Sequence, residues 1–96
     1  MRTVILPAAR EDLLEIGDYI ATDNRARAAS FVDEIVAVIA GIAERPKRFP
    51  ARDDLRPGLR VASHRNYLIF FAEVDEEIQV GRVLHGARNL KRLFEN

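Results

Sequence analysis

The chain contains no cysteine, which excludes both a disulfide framework and a thiolate-held metal. Histidine is nearly as scarce. His64 and His85 are the only two, too few for a typical zinc site even with carboxylate help. No apolar run approaches the roughly 18–20 residues of a membrane span, and no signal-peptide pattern opens the sequence. The expected compartment is therefore the cytoplasm. Excess charge is missing too: 15 basic and 15 acidic side chains give a net charge of zero. Bulk attraction to nucleic acid is then not the theme, and the chain alone is not expected to bind DNA. No phosphate-binding glycine loop, serine nucleophile motif or EF-hand pattern occurs, and no cofactor or metal site is expected.

What remains is a single domain spanning residues 1–96. Its 48% hydrophobic and 31% charged residues are those of a folded globular chain rather than a disordered one. The organising stretch is Leu59 to Gly86, three apolar runs joined by two tight polar links. Tyr67 to Ala72 (YLIFFA) has no polar alternation, so it reads as a central strand covered on both faces. Val74 to Glu77 is an acidic turn, Ile78 to Leu84 returns as the next strand, and Leu59 to Ser63 enters through His64-Arg65-Asn66. Links this short require antiparallel pairing.

Upstream, Arg2 to Leu6 is a β-branched run stopped by Pro7, which suits the first turn of a helix. Ala9, Leu13, Ile16 and Ile20 recur at helical spacing, with Glu11 and Asp12 near the positive end of the dipole. Gly17 costs about 1 kcal/mol there relative to alanine, which suggests close backbone approach or plain tolerance. Thr22-Asp23-Asn24 breaks the pattern and offers an N-cap. A second helix from Arg25 to Arg45 carries two apolar stripes, one through Phe31 and Ile35 and one through Val32 and Val36. That arc is wide enough to meet both the first helix and the sheet. Lys47 to Gly58 is a loop that Phe49 and Leu55 pin to the core. Ala87 to Asn96 places Leu90, Leu93 and Phe94 on one side of a short helix that must dock, most naturally on the open face of YLIFFA. The expected fold class is α+β: an N-terminal strand, an α-helical hairpin, a three-stranded antiparallel meander and a short C-terminal helix.

Charge is unevenly spread. Arg56, Arg60 and Arg65 lie between Leu55 and Ala72 without an acid among them, and so do Arg82, Arg88, Lys91 and Arg92 between Ile78 and Phe94. The acids Glu73, Asp75, Glu76 and Glu77 cluster at one turn. This is either a set of solvated charges or a local basic surface that meets an acidic partner. Four features carry chemistry or its structural alternative. Arg60, Arg65 and Arg82 with Tyr67 and His85 would clamp a phosphate and move protons if they converged; otherwise they are solvated or ion-paired. His85, at a strand end before Gly86, is either a projecting catalytic group or a hydrogen-bonded structural one. Arg82 breaks the Ile78-Val80-Leu84 face by parity, so it snorkels, projects into a partner site or marks a bulge. The acidic turn attracts a cation or is simply solvated.

The order AAREDLLEIGDYI, AASFVDEI, PGLR, NYLIFFAEV, VGRVLHGARN resembles the ParE-type toxins of the RelE/ParE superfamily, over nearly the whole chain. The most specific parts are Arg65 to Phe71 and Arg82 to Gly86, followed by Ala87-Arg88-Asn89; the family often has aspartate where Asn89 stands. The resemblance implies the toxin of a type II toxin–antitoxin module, held in a hetero-oligomer by a ParD-like antitoxin. ParE-type members are associated with poisoning DNA gyrase, whereas RelE-type relatives cut mRNA on the ribosome. Antitoxin contacts are then expected at Leu13, Tyr19, Ile20, Phe31, Arg60 and Arg65, and target contacts at Arg82, His85, Arg88, Lys91 and Arg92. The nuclease alternative rests on Arg65, Tyr67, Arg82 and His85. The only lysines, Lys47 and Lys91, lie outside the strands, which weakens that alternative.

Overall fold

The computed structural model describes residues 1–95. Four strands form one sheet in the order β1-β4-β3-β2: β1 is Arg2–Ile5, β2 Arg60–His64, β3 Tyr67–Val74 and β4 Glu77–His85. The predicted meander β2-β3-β4 is antiparallel throughout. The N-terminal strand joins it as a fourth member, parallel to β4, with Thr3 opposite Ile78 and Ile5 opposite Val80. Among the described residues no strand pairs with the outer side of β1, and the opposite edge, β2, is partly covered. There the loop folds back so that Val61 N–H donates to Pro50 O (3.0 Å) and Arg52 N–H to Leu59 O (2.7 Å).

Both strand links are tighter than the sequence suggests. His64 pairs with Tyr67 and Val74 with Glu77, so only Arg65-Asn66 and Asp75-Glu76 remain as turns. The reason is backbone twist. Arg65, Asp75 and Glu76 take left-handed φ values of 55°, 50° and 60°. Such two-residue turns match the right-handed twist of the strands and let pairing run up to the turn. At the other end of the sheet, the Gly86 N–H donates to Asn66 O at 2.8 Å. A Cβ on Gly86 would stand 3.4 Å from that oxygen, at the edge of ordinary contact.

One irregularity positions the candidate site. Phe71 pairs with Val80 and Phe70 with Arg82, which leaves Gly81 as an extra residue. This is a β-bulge. Beyond it the side-chain alternation of β4 slips by one. Val83, not Leu84, therefore shares the face of Ile78 and Val80, and Leu84 turns to the opposite face with Phe70.

Two helices cover the first face. Helix α1 (Pro7–Ala21) starts at Pro7, and α2 (Arg25–Ile42) starts where the Asn24 side chain accepts the Arg27 N–H at 2.9 Å. The second helix stops three residues short of the expected Arg45. Pro46 explains this, because a proline disfavours helical backbone in the residue before it. Their apolar stripes meet the sheet through Leu13, Ile16, Phe31, Ile35 and Ile39 against Ile69, Phe71, Val80 and Val83.

The second face is closed by Leu59, Phe70, Leu84 and Phe94, with Leu55, Leu90 and Leu93 packed against them. The C-terminal helix α3 is shorter than expected, only Leu90–Leu93. Asn89 limits it: its side chain accepts the Arg92 N–H at 3.3 Å and so caps the helix there, leaving Ala87 and Arg88 in a turn. Asn96, the last residue of the expected helix, lies outside the described residues. A helix this short holds only through docking. The ring of Phe94 meets that of Phe70 edge-on at 5.0 Å.

Candidate functional site

Strand β1 ends at Ile5 while β4 continues to His85, so the last residues of β4 have an uncovered edge toward α1. Asp12 fills that gap. Its carboxylate accepts the Val83 backbone N–H at 2.8 Å, Arg82 Nε at 2.8 Å and Arg82 Nη2 at 3.0 Å. Asp12 is the one buried charged residue among those described, 6% exposed. The carboxylate thus does for Val83 what a neighbouring strand would do, and the bidentate fork fixes the guanidinium. Hydrogen bonding to Asp12 holds the Arg82 pKa above its ordinary value. Sequence reading placed Asp12 with Glu11 at the helix dipole and missed this role. The signal was present: positions 9, 12, 13 and 16 share one helical face, and the other three are apolar.

Beside this pair lies an open hollow of about 630 Å³ lined by Tyr19, Ile20, Phe31, Arg65, Tyr67 and His85. Tyr67 and His85 are cross-strand partners whose rings meet edge-on at 5.2 Å, and Phe31 lies 5.5 Å from Tyr67 on the other side. His85 Nδ1 accepts the Ala87 N–H at 3.1 Å, so a neutral ring carries its proton on Nε2. Of the three arginines in the possible catalytic set, only Arg65 is exposed at this hollow. Arg82 is held by Asp12, and Arg60 Nη1 donates to Phe49 O at 2.7 Å, clamping the 47–49 segment to the sheet. The five residues therefore do not converge. Tyr67, His85 and Arg65 meet; Arg60 and Arg82 are elsewhere engaged.

A second charged group borders the hollow. Glu34 on α2 accepts Arg27 Nη1 at 2.5 Å and lies 2.7 Å from His64 Nε2. The Arg27 hydrogen bond first, and the His64 hydrogen bond second, push the Glu34 pKa down to about 2. Arg27 also stacks over Phe31, 5.1 Å from its centroid. This triad joins α2 to β2 and was not foreseen, since nothing in the sequence spacing links residues 34 and 64.

The residues expected to meet an antitoxin are divided. Tyr19 is 74% exposed, and Arg65 is exposed at its turn. Leu13 and Phe31 are buried in the chain's own core and Ile20 packs against it, while Arg60 is the loop clamp. The apolar surface that is open lies further along the outer side of the hairpin. There Leu14, Gly17, Ala28, Val32 and Val36 line a groove of about 600 Å³, with Leu14 69% exposed. Gly17 approaches Val32 at an ordinary 3.5 Å from where its Cβ would stand, so contact between the helices does not demand glycine there.

Of the expected target contacts, Arg88, Lys91 and Arg92 are exposed around α3 and make no ion pair among the described residues. The acids at the β3–β4 turn do not form a cation cage; among the described residues no three histidines, aspartates or glutamates stand close enough to hold a metal.

Comparison with known proteins gives this arrangement a context. No curated protein sequence matches the chain. Among solved structures, the chain is similar to one described as the chromosomal ParDE TA system from P. aeruginosa, with a TM-score of 0.78. The identity is 23%, over 88% of this chain and 95% of that one, which establishes a shared fold. Residues 4–90 match the family described as the ParE toxin of the type II toxin–antitoxin system parDE. The chain belongs to the ParE toxin family of type II toxin–antitoxin systems.

Proposed function

We propose that this toxin arrests growth by binding a target protein, DNA gyrase, in the cytoplasm, and that a ParD-like antitoxin neutralises it by covering the outer groove of the α1–α2 hairpin. The observation that carries binding over cleavage is the engagement of Arg82 by Asp12 and of Arg60 by the 47–49 carbonyls. A ribonuclease needs cations free to stabilise a phosphorane and groups poised to move protons. Here two of three candidate arginines serve the fold. The hairpin groove supports the antitoxin reading, because Leu14 and Val36 stand exposed along it in the free chain, and a disordered segment that folds into a helix would cover them.

The test is expression of the toxin without its antitoxin, with the cellular lesion read out. Gyrase poisoning gives double-strand breaks and a DNA-damage response, and purified gyrase with purified toxin accumulates cleaved DNA. Ribosome-dependent mRNA cleavage with intact chromosomes is the result that would replace this reading.

A further inference from the structure

The sheet face opposite the helical hairpin is only half covered. Near α3 it is closed by Phe70, Leu84 and Phe94. Toward the β3–β4 turn the same face carries Ala72, Val74, Gln79 and Gly81, and Val74 is 40% exposed. The result is a concavity of about 580 Å³, walled by the start of α1 on one side and by Arg56, Pro57 and Phe94 on the other.

Two observations indicate what fits it. The first is charge. The lining contains two arginines and one glutamine but no aspartate or glutamate. Arg82 is held by Asp12, whereas Arg56 is exposed, stacks over the Phe94 ring at 5.4 Å and makes no ion pair among the described residues. A guanidinium resting on an aromatic face at a groove rim is placed to take a carboxylate bidentately. The second is Gly81. Its backbone is not left-handed, and a Cβ built there meets nothing within 4 Å. Neither conformation nor crowding within this chain calls for glycine at that point, and the space its side chain would fill opens into the groove.

We infer that this groove is the docking site for an extended segment of the protein that the toxin poisons, a segment with an apolar side chain seated over Gly81 and a carboxylate on Arg56. The inference rests on the reading of the toxin as a binding inhibitor, not on the identity of its target. The groove lies across the sheet from the hairpin groove, so the two partners occupy different faces.

Three full-length variants test it: Gly81→Val, which fills the floor with a residue suited to a strand; Arg56→Glu, which reverses the rim charge; and Arg45→Glu, an exposed charge control that does not line the groove. Each is scored for growth arrest, for antitoxin affinity by calorimetry and for thermal midpoint. Gly81→Val and Arg56→Glu are expected to weaken growth arrest about tenfold or more while antitoxin affinity stays within about twofold, as for Arg45→Glu. Retained growth arrest in both variants overturns the inference. So does a parallel loss of antitoxin affinity at an unchanged thermal midpoint, which would make the groove an antitoxin seat. If Gly81→Val fails to fold, Arg56→Glu, a change at an exposed side chain, decides alone. If growth arrest falls as expected but the wild-type toxin does not bind purified gyrase, cellular mRNA decides: intact mRNA leaves the docking site standing and removes only the gyrase assignment, whereas ribosome-dependent mRNA cleavage overturns both.

Discussion

Asp12 and Arg82 are 70 residues apart in sequence and joined by two hydrogen bonds of 2.8 and 3.0 Å, with the Val83 N–H making a third to the same carboxylate. The contact ties the first turns of α1 to the bulged half of β4. It replaces the strand hydrogen bonds that β1 is too short to supply. A residue with the family signature around it, Arg82, is thereby fixed in the fold rather than left free in a site.

Removal of the carboxylate leaves the guanidinium and a buried N–H without acceptors. Breaking a buried pair from one side costs about 3–5 kcal/mol, but Arg82 keeps 31% of its side chain in water and part of that cost is relieved. Asp12→Ala should lower stability by about 2–3 kcal/mol. Asp12→Asn, which still offers Val83 an oxygen, should cost about half as much. Urea denaturation of the two variants checks the order; equal losses would mean that the Val83 bond contributes nothing.

The hairpin groove gives a separate expectation. Leu14 and Val36 are exposed, so a charge at either should leave the fold intact: surface changes away from special features stay within about 0.5 kcal/mol. Leu14→Glu and Val36→Glu together should weaken antitoxin binding by at least about a hundredfold, since each buries a carboxylate against an apolar partner. Growth arrest should survive, and co-expressed antitoxin should no longer suppress it. Undiminished antitoxin affinity in calorimetry would move the antitoxin to another surface.

Sequence reading goes furthest where one face of an element is buried. The broad apolar arc of α2 was legible because burial imposes a period on the residues, and the strand YLIFFA because burial on both faces removes the polar alternation. The bulge at Gly81 was legible only as a break in parity at Arg82, one of three options, because the same break follows from a snorkelling arginine. The parallel docking of β1 against β4 was not legible, since strand pairing between residues 3 and 78 leaves no local mark. The polar contacts were least accessible. Asp12 to Arg82 and Glu34 to His64 are long-range pairs, and each half reads alone as a surface charge. The shift of the open apolar surface from Leu13 and Phe31 to Leu14 and Val36 has the same origin: helical spacing separates faces, but a stripe this wide does not say which edge of it the sheet covers.

Glu34 gives a pH dependence with a definite sign. Its ordinary carboxyl value is 4.5, and the Arg27 and His64 hydrogen bonds bring it down to about 2 in the folded chain. A carboxyl depressed by folding contributes stability that is complete above its unfolded value and is lost as pH falls through the folded one. The α2–β2 junction should therefore weaken between pH 4.5 and about 2. Glu34→Gln should be less stable than the wild type at pH 6, and the gap should be narrower at pH 3 and close only as pH falls through about 2. Urea midpoints for both proteins at those pH values check it; a constant gap would show that the carboxylate's charge is irrelevant.

Tyr67 and His85 separate the binding and nuclease readings. A general acid or base supplies about 10²–10⁴-fold in rate, so a nuclease that relied on either ring would be crippled by its loss. Tyr67→Phe removes one hydroxyl and keeps the edge-on contacts with His85 and Phe31. On the binding reading, Tyr67→Phe and His85→Ala should each change the toxin dose needed for growth arrest by less than about tenfold. Complete loss of growth arrest in either, with antitoxin binding retained, would establish the nuclease.

The tail is either a lid or a contact element, and its buried and exposed side chains let the two roles be tested separately. Phe94 is 9% exposed and rests edge-on against Phe70, so it belongs to the lid. Lys91 and Arg92 point their charge away from the buried cluster and are exposed. Truncating a buried phenylalanine costs about 3–5 kcal/mol in a closed core; at the chain's end, where neighbours can relax, Phe94→Ala should cost about 2–3 kcal/mol. That variant should lose stability and growth arrest, while antitoxin affinity, carried by the hairpin on the opposite face, should hold as long as the chain stays folded. Lys91→Glu with Arg92→Glu should leave the thermal midpoint and antitoxin affinity unchanged and reduce growth arrest about tenfold or more, since two attractive charges become repulsive at a target surface. Deletion of Leu90 to Asn96 should combine both effects. If the doubly reversed variant still arrests growth at the wild-type dose, the tail is a lid alone and the target is gripped elsewhere.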